Sequence, residues 1–235
     1  SILSAKERED GYLSGKDCIV SWCLGHLAGY ASPECYDSRY EKWEFADLPI
    51  VPKRWELSVA KDKKKQLAVL KKLLSREDMD YVVNACDAGR EGELIFKHVY
   101  DLSGSSLPVR RLWISSMEES AIREGFANLK DGKEYENLCE ASVCRAKADW
   151  LVGMNATRAF TSKYYKLLTV GRVQTPTLAM LVERQDAIDG FVKEAYYKAA
   201  VEGDGIHAVS EAIKDEAESI ALAEKCNGKS AVIIK

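Results

Sequence analysis

The residues best equipped for chemistry sit in one run, Val82-Val-Asn-Ala-Cys-Asp87-Ala-Gly89-Arg90-Glu91-Gly92-Glu93-Leu94. An apolar strand ends at Asp87, a glycine-containing turn follows, and a helix begins. Acids at the carboxyl end of a parallel strand lie in the crevice where α/β sheets bind ligands. Carboxylates spaced four and two residues apart on such a turn can converge on one hard cation. Mg²⁺ suits one or two carboxylates completed by waters and phosphate oxygens, and it can stabilise charge on a transferring phosphoryl group. The same residues also admit a structural role, with Asp87 as helix N-cap and Glu91 and Glu93 complementing the helix dipole. Four charged side chains within seven positions, directly after a buried strand, favour the metal site. Asp87 and Glu91 are therefore the metal and acid–base candidates. Glu93 is a weaker third, and Arg90 could meet a phosphate or pair with a neighbouring acid.

A second group is cationic. Gly171 allows backbone to come close to a ligand. Arg172 beside it suits phosphate, and Gln174 suits a sugar or a base edge. Thr175-Pro176 reads as N-cap and first position of the next helix, whose free amides favour an anion. Asp149, Trp150 and Arg158 fall on one long helix. Trp150 could stack on a base or be a core tryptophan, and Arg145, four before Asp149, could simply pair with it. Between Ala141 and Gln185 seven basic residues face two acidic ones, so this segment carries +5 while the rest of the chain carries −8. That split fits a polyanion-facing half beside an acidic half.

These groups must be positioned by a folded scaffold. The chain has 235 residues, 46% hydrophobic and 30% charged, with net charge −3. It can bury a core, which excludes disorder. No apolar run approaches the roughly 20 residues of a membrane span, and the charged opening SILSAKERED is not a secretory signal. Seven scattered cysteines without a Cys-x-x-Cys pair argue for reduced thiols and against a zinc ribbon. Strands are predicted at 17–22, 54–58, 80–86 and 109–114. Helices are predicted at 63–75, with Leu67, Leu70 and Leu74 on one face, at 92–100, and at 117–129 behind a capping box, Ser116 to Glu119. This alternation implies an α/β domain with a mainly parallel sheet over 1–129. An all-helical segment over 130–189 follows, then a partial β-rich segment over 190–235 that ends on the apolar run AVIIK. Without an initiator Met, and ending on that run, the chain reads as cut at both ends.

Five ordered blocks carry a family resemblance. Asp87-Ala-Gly-Arg-Glu-Gly-Glu-Leu resembles the acidic motif of a Toprim domain, and more narrowly that of type IA DNA topoisomerases of the bacterial topoisomerase III kind. Ser21-Trp-Cys-Leu-Gly25-His26-Leu27 is similar to the family's Gly-His-Leu segment, and Arg111-Leu-Trp113-Ile-Ser-Ser116 to its post-motif strand. Ala148-Asp149-Trp150 through Asn155-Ala-Thr-Arg158-Ala resembles the long helix of its helical domain. Val170-Gly171-Arg172-Val173-Gln174-Thr175-Pro176 resembles its single-strand-binding loop. The resemblance implies a Rossmann-like Toprim sheet, a helical single-strand-DNA-binding domain and the start of a β-containing gate domain. It implies cleavage and religation of single-stranded DNA through a 5′-phosphotyrosyl link, with Mg²⁺ and without ATP. It also implies DNA contacts at Trp43, Asp149, Trp150, Arg158, Thr169, Val170, Gly171, Arg172, Val173 and Gln174, a cytoplasmic, nucleoid-associated bacterial setting, and room for a helicase partner. Another Toprim enzyme, such as a primase or nuclease, and a non-catalytic DNA-binding module are the alternatives.

The chain departs from the family pattern in three places. Gly89 stands where the Toprim motif usually has its middle acid. The acid and lysine of the first Toprim strand would lie upstream of Ser1. The nucleophile's context is Tyr-Pro-Arg-Thr-like, and none of the eleven tyrosines is followed by Pro; Tyr164-Tyr165 reads as packing or stacking surface. The nucleophile is thus expected outside this chain.

Overall fold

The computed structural model describes residues 2–203 and 205–230, so the predicted AVIIK strand lies outside the described residues. The chain forms two compact units, Ser1–Pro176 and Thr177–Lys235.

In the first unit, strands β1 (Glu7–Glu9), β2 (Tyr12–Ser14) and β3 (Ile19–Ser21) make an antiparallel sheet. Strand β4 (Ala28–Tyr30) pairs antiparallel with β5 (Leu57–Val59). Helix α1 (Lys64–Leu74) leads to β6 (Val82–Asn84), followed by α2 (Arg90–Ser103) and β7 (Val109–Arg111). Strands β6 and β7 run parallel, joined by the α2 crossover that a parallel pair requires. Helix α3 (Glu119–Ala127) then returns to β8 (Lys130–Asp131), antiparallel to β7. Helix α4 (Glu136–Tyr164) is 29 residues, about 43 Å at 1.5 Å per residue.

The mixed α/β architecture is as expected. Parallel pairing, however, is confined among the described residues to β6–β7. The physical reason lies in the connections. Asp10-Gly11 joins β1 to β2 in two residues, with Gly11 at φ 88°, and a link that short can only reverse the chain.

The core forms where the α1 stripe meets α2. Leu27, Leu67 and Val99 are buried together, with Cys23, Leu70, Leu74 and Leu102 packed around them. All three predicted stripe leucines of α1 thus face the core. Gln66 on the same helix is buried, and its side-chain amide Nε2 donates to the carbonyls of Gly11 (3.0 Å) and Trp22 (2.8 Å), tying the hairpin to α1. All seven cysteines are free thiols. Among the described residues no helix is long and apolar enough to cross a membrane.

Two helix starts differ from expectation. Helix α3 begins at Glu119 with Glu118 as N-cap, and Ser116 Oγ accepts from the Glu118 amide instead of closing a capping box. Helix α5 (Gln174–Asp189) begins one residue before Thr175. The Thr175 hydroxyl accepts from the Gly171 amide at 3.1 Å, so it closes the preceding turn rather than capping the helix.

The second unit holds most of α5, the hairpin β9 (Ala200–Gly203) and β10 (Ile206–Val209), and helix α6 (Glu216–Cys226). Asp215 caps α6, its carboxylate accepting from the Glu218 amide.

Candidate functional site

The acidic turn is built from below by a buried ion pair. Arg111, at the end of β7, is 1% exposed. Its Nε donates to Glu93 Oε1 at 2.6 Å, its Nη1 to the carbonyls of Asn84 and Cys86, and its Nη2 to the carbonyl of Asp87 at 2.7 Å. Glu93 Oε2 also accepts from Asn84 Nδ2 at 3.2 Å. One guanidinium therefore holds the backbone between β6 and α2, and Glu93 is its buried counter-ion. Glu93 is neither a metal-facing acid nor a plain helix starter. A second constraint is Gly92, where a Cβ would stand 2.0 Å from the Asp87 carbonyl oxygen. Only glycine lets α2 start that close to the turn.

Asp87 and Glu91 are left on the surface above this base. Glu91 is 59% exposed at its side chain; His26 Nε2 lies 3.1 Å from Oε2 and Arg145 Nη1 3.4 Å from Oε1. Gly89 is extended, and a Cβ there would meet no atom within 4 Å, so space does not exclude an acid at that position. Arg90 is exposed. Among the described residues no group of three or more His, Cys, Asp or Glu side chains is gathered as a metal cage.

The cationic loop is fastened to α4. Asp149, Thr157 and Thr161 on α4 hold it at three points. The Thr157 hydroxyl accepts from the Val170 amide (2.9 Å), Thr161 Oγ1 accepts from the Leu168 amide (3.1 Å), and Arg172 donates through Nε and Nη2 to the two Asp149 oxygens. Gly153, between them, leaves room for the Val170 carbonyl, 3.5 Å from where a Cβ would be. Arg145 lies one turn before Asp149, with Nε 3.7 Å from Asp149 Oδ2. Charged contacts thus run without a break from Glu91 through Arg145 and Asp149 to Arg172, with the His26 ring against Glu91 at the near end. Arg145 does pair with Asp149, and it reaches Glu91 as well.

The other predicted contact residues divide by exposure. Thr169, Arg172, Val173 and Gln174 are exposed, while Val170 and Gly171 are half-buried. Trp150 is half-buried; its Nε1 donates to the Ala31 carbonyl (3.0 Å) and its ring packs edge-on against Trp55 and Tyr36. Arg158 is 3% exposed, donates to the Tyr40 carbonyl (2.7 Å), pairs with Glu34 and lies over the Trp43 ring. Burial lowers its basicity below the usual arginine value. The structure therefore does not bring Trp150 and Arg158 to the surface beside Arg172. Trp43 lines an open cleft of about 560 Å³ with Phe45, Tyr165 and Lys166, at the far end of α4. Sequence reasoning passed over Thr157 and Thr161 and left Arg145 as a mere pair partner. Their signal is a four-residue spacing from 145 through 149, 153 and 157 to 161.

Comparison with known proteins gives one direction. The Toprim domain model matches residues 4–117, and the DNA topoisomerase model matches residues 133–235. The chain is 44% identical to DNA topoisomerase 3 of Shouchella clausii over 241 residues, covering 99% of this chain and 33% of that protein. It is 47% identical to DNA topoisomerase 3 of Bacillus anthracis over 196 residues, covering 83% of this chain and 27% of the relative. The solved full-length topoisomerase I of Thermotoga maritima superposes with a TM-score of 0.55 at 25% identity, over 85% of this chain and 32% of that one. The chain spans about a third of the length of these proteins.

Proposed function

Because this chain belongs to the type IA DNA topoisomerases, of the topoisomerase III kind, we propose that it supplies the acidic half-site and part of the strand path of an enzyme that changes DNA topology. That enzyme would cleave and religate single-stranded DNA through a 5′-phosphotyrosyl link, without ATP. The nucleophilic tyrosine is assigned outside these residues, since no tyrosine here stands before Pro. The domain reading keeps Toprim at 1–129, the helical segment at 130–189 and the gate portion at 190–235, in a bacterial cytoplasmic setting beside DNA. A helicase would meet the whole enzyme.

One observation carries the reading: Glu91 of the acidic turn and Arg172 of the cationic loop lie on one continuous line of side chains. A polynucleotide phosphate near Arg172 is then close to the carboxylates. The donor set of Asp87 and Glu91 fits a hard divalent cation that keeps most of its waters, and we assign Mg²⁺. When bound, the ion would neutralise charge on the phosphodiester. Glu91 and Asp87 would hold it, Arg172 and Gln174 would position the strand, and Arg111 would fix the turn.

The test uses the chain itself. It is expected to bind single-stranded oligonucleotide and to leave negatively supercoiled plasmid unrelaxed. Arg172→Ala should weaken oligonucleotide binding by about fivefold, in line with one solvent-exposed ion pair of about 1 kcal/mol. Plasmid relaxation by this chain, or oligonucleotide affinity unchanged in Arg172→Ala, overturns the assignment.

A further inference from the structure

Arg145 holds an unusual place between the two halves of the proposed site. Its guanidinium lies 3.4 Å from Glu91 and 3.7 Å from Asp149, at different nitrogens. Asp149 in turn accepts both Nε and Nη2 of Arg172. The order of charges along the line is alternating: acid, arginine, acid, arginine. Arg145 and Arg172 therefore share one carboxylate, and Arg145 divides itself between two. All four side chains are partly exposed, at 33% to 59%, so each contact is weak enough to exchange.

We propose that Arg145 is a positioning residue that couples the divalent cation to the DNA strand. An ion taken by Glu91 removes one of the two partners of Arg145. The freed guanidinium turns wholly to Asp149 and competes there with Arg172. Arg172, displaced, becomes available to a phosphate. Cation binding at one end thereby raises strand affinity at the other, and by linkage the strand raises cation affinity by the same factor. Every step is an exchange of ion-pair partners; no proton moves and no bond breaks. The inference rests on the functional reading above for the identity of the two ligands.

The test measures the affinity of a fluorescein-labelled oligothymidylate for the chain with and without Mg²⁺, at constant ionic strength, and separately the Mg²⁺ affinity by calorimetry with and without oligonucleotide. Half-exposed pairs place the coupling near the low end of the usual range, about three- to fivefold. In the wild-type chain Mg²⁺ is expected to tighten oligonucleotide binding by that factor, and the reverse titration should return the same factor. Arg145→Gln should bind both ligands with the coupling reduced to one. Arg145→Lys, which keeps the charge but cannot present two separate nitrogens to two carboxylates, should recover less than half of it. Asp149→Asn, which breaks the line at a different rung, should bind oligonucleotide tightly with or without Mg²⁺. Circular dichroism identifies any variant that fails to fold, and the remaining variants decide the matter. A wild-type chain that binds both ligands independently overturns the coupling alone. A chain that binds no Mg²⁺ or no oligonucleotide overturns the functional reading and the coupling with it. Equal coupling in wild type and Arg145→Gln overturns the assignment to Arg145.

Discussion

At the scale of single residues, the acidic turn depends on an atom that is absent. Gly92 sits under the Asp87 carbonyl, and any side chain there collides with backbone. Gly92→Ala is therefore expected to destabilise the chain by about 1–3 kcal/mol, read as a lower urea midpoint. His98 offers a pH test. It is buried, its Nδ1 faces the Ala28 carbonyl at 3.2 Å, and its Nε2 has no partner among the described residues. Burial holds its pKa below the usual histidine value. The unfolded chain binds a proton at His98 near pH 6.5, and the folded chain does so only at lower pH. The stability contributed by neutral His98 is thus complete above about pH 6.5 and falls as pH drops toward the folded value. The urea midpoint of the wild type should fall between pH 7.5 and 5.5, and His98→Asn should show a flatter dependence over that interval.

At the scale of elements, the β6–β7 pair is what makes the acidic turn. Parallel register brings Arg111 beside Asn84, and the buried guanidinium then satisfies carbonyls that the turn would otherwise leave unpaired. Arg111→Met strands Glu93 as a buried lone charge and should cost about 3–5 kcal/mol in denaturant unfolding. Adding Glu93→Leu should restore part of that loss, since the stranded charge is gone. Much at this scale was legible. The strand before Asp87, the leucine stripe of α1 and the length of α4 follow from alternation and helical period. Glu93 was not legible as a structural ion, because its partner is 18 residues away and only the strand register joins them. The β1–β2 hairpin carried a readable Asp-Gly signal, but its strands are short and charged, so alternation alone did not mark them. The Thr175 start failed for a different reason: a hydroxyl that can cap a helix can equally close the turn before it.

At the scale of the molecule, the +5 segment with its −8 surroundings implies that strand binding is electrostatic and local. Burial of Arg158 removes one charge from the contact set, which leaves Arg172 and a few lysines. With about three phosphates neutralised, the logarithm of affinity should fall with the logarithm of salt concentration at a slope near −2, and Arg172→Ala should reduce that slope by about 0.7. Fluorescence anisotropy across a salt series measures both.

Helix α4 does more than carry side chains. Asn155 clamps the amide and carbonyl of Ile50 on one side, at 2.6 and 2.9 Å, while the residues at 149, 157 and 161 grip the loop on another. Arg145 and Thr161 are sixteen peptide steps apart, about 24 Å along the axis. The helix is in effect a gauge rod, and its graduations are angular as well as linear. Inserting or deleting one residue anywhere along it would rotate every later graduation by roughly 100° and unseat all fastenings beyond that point together. The stretch from Arg145 to Thr161, and the loop whose Leu168, Val170 and Arg172 are seated on it, therefore tolerate no change of length without losing that phase.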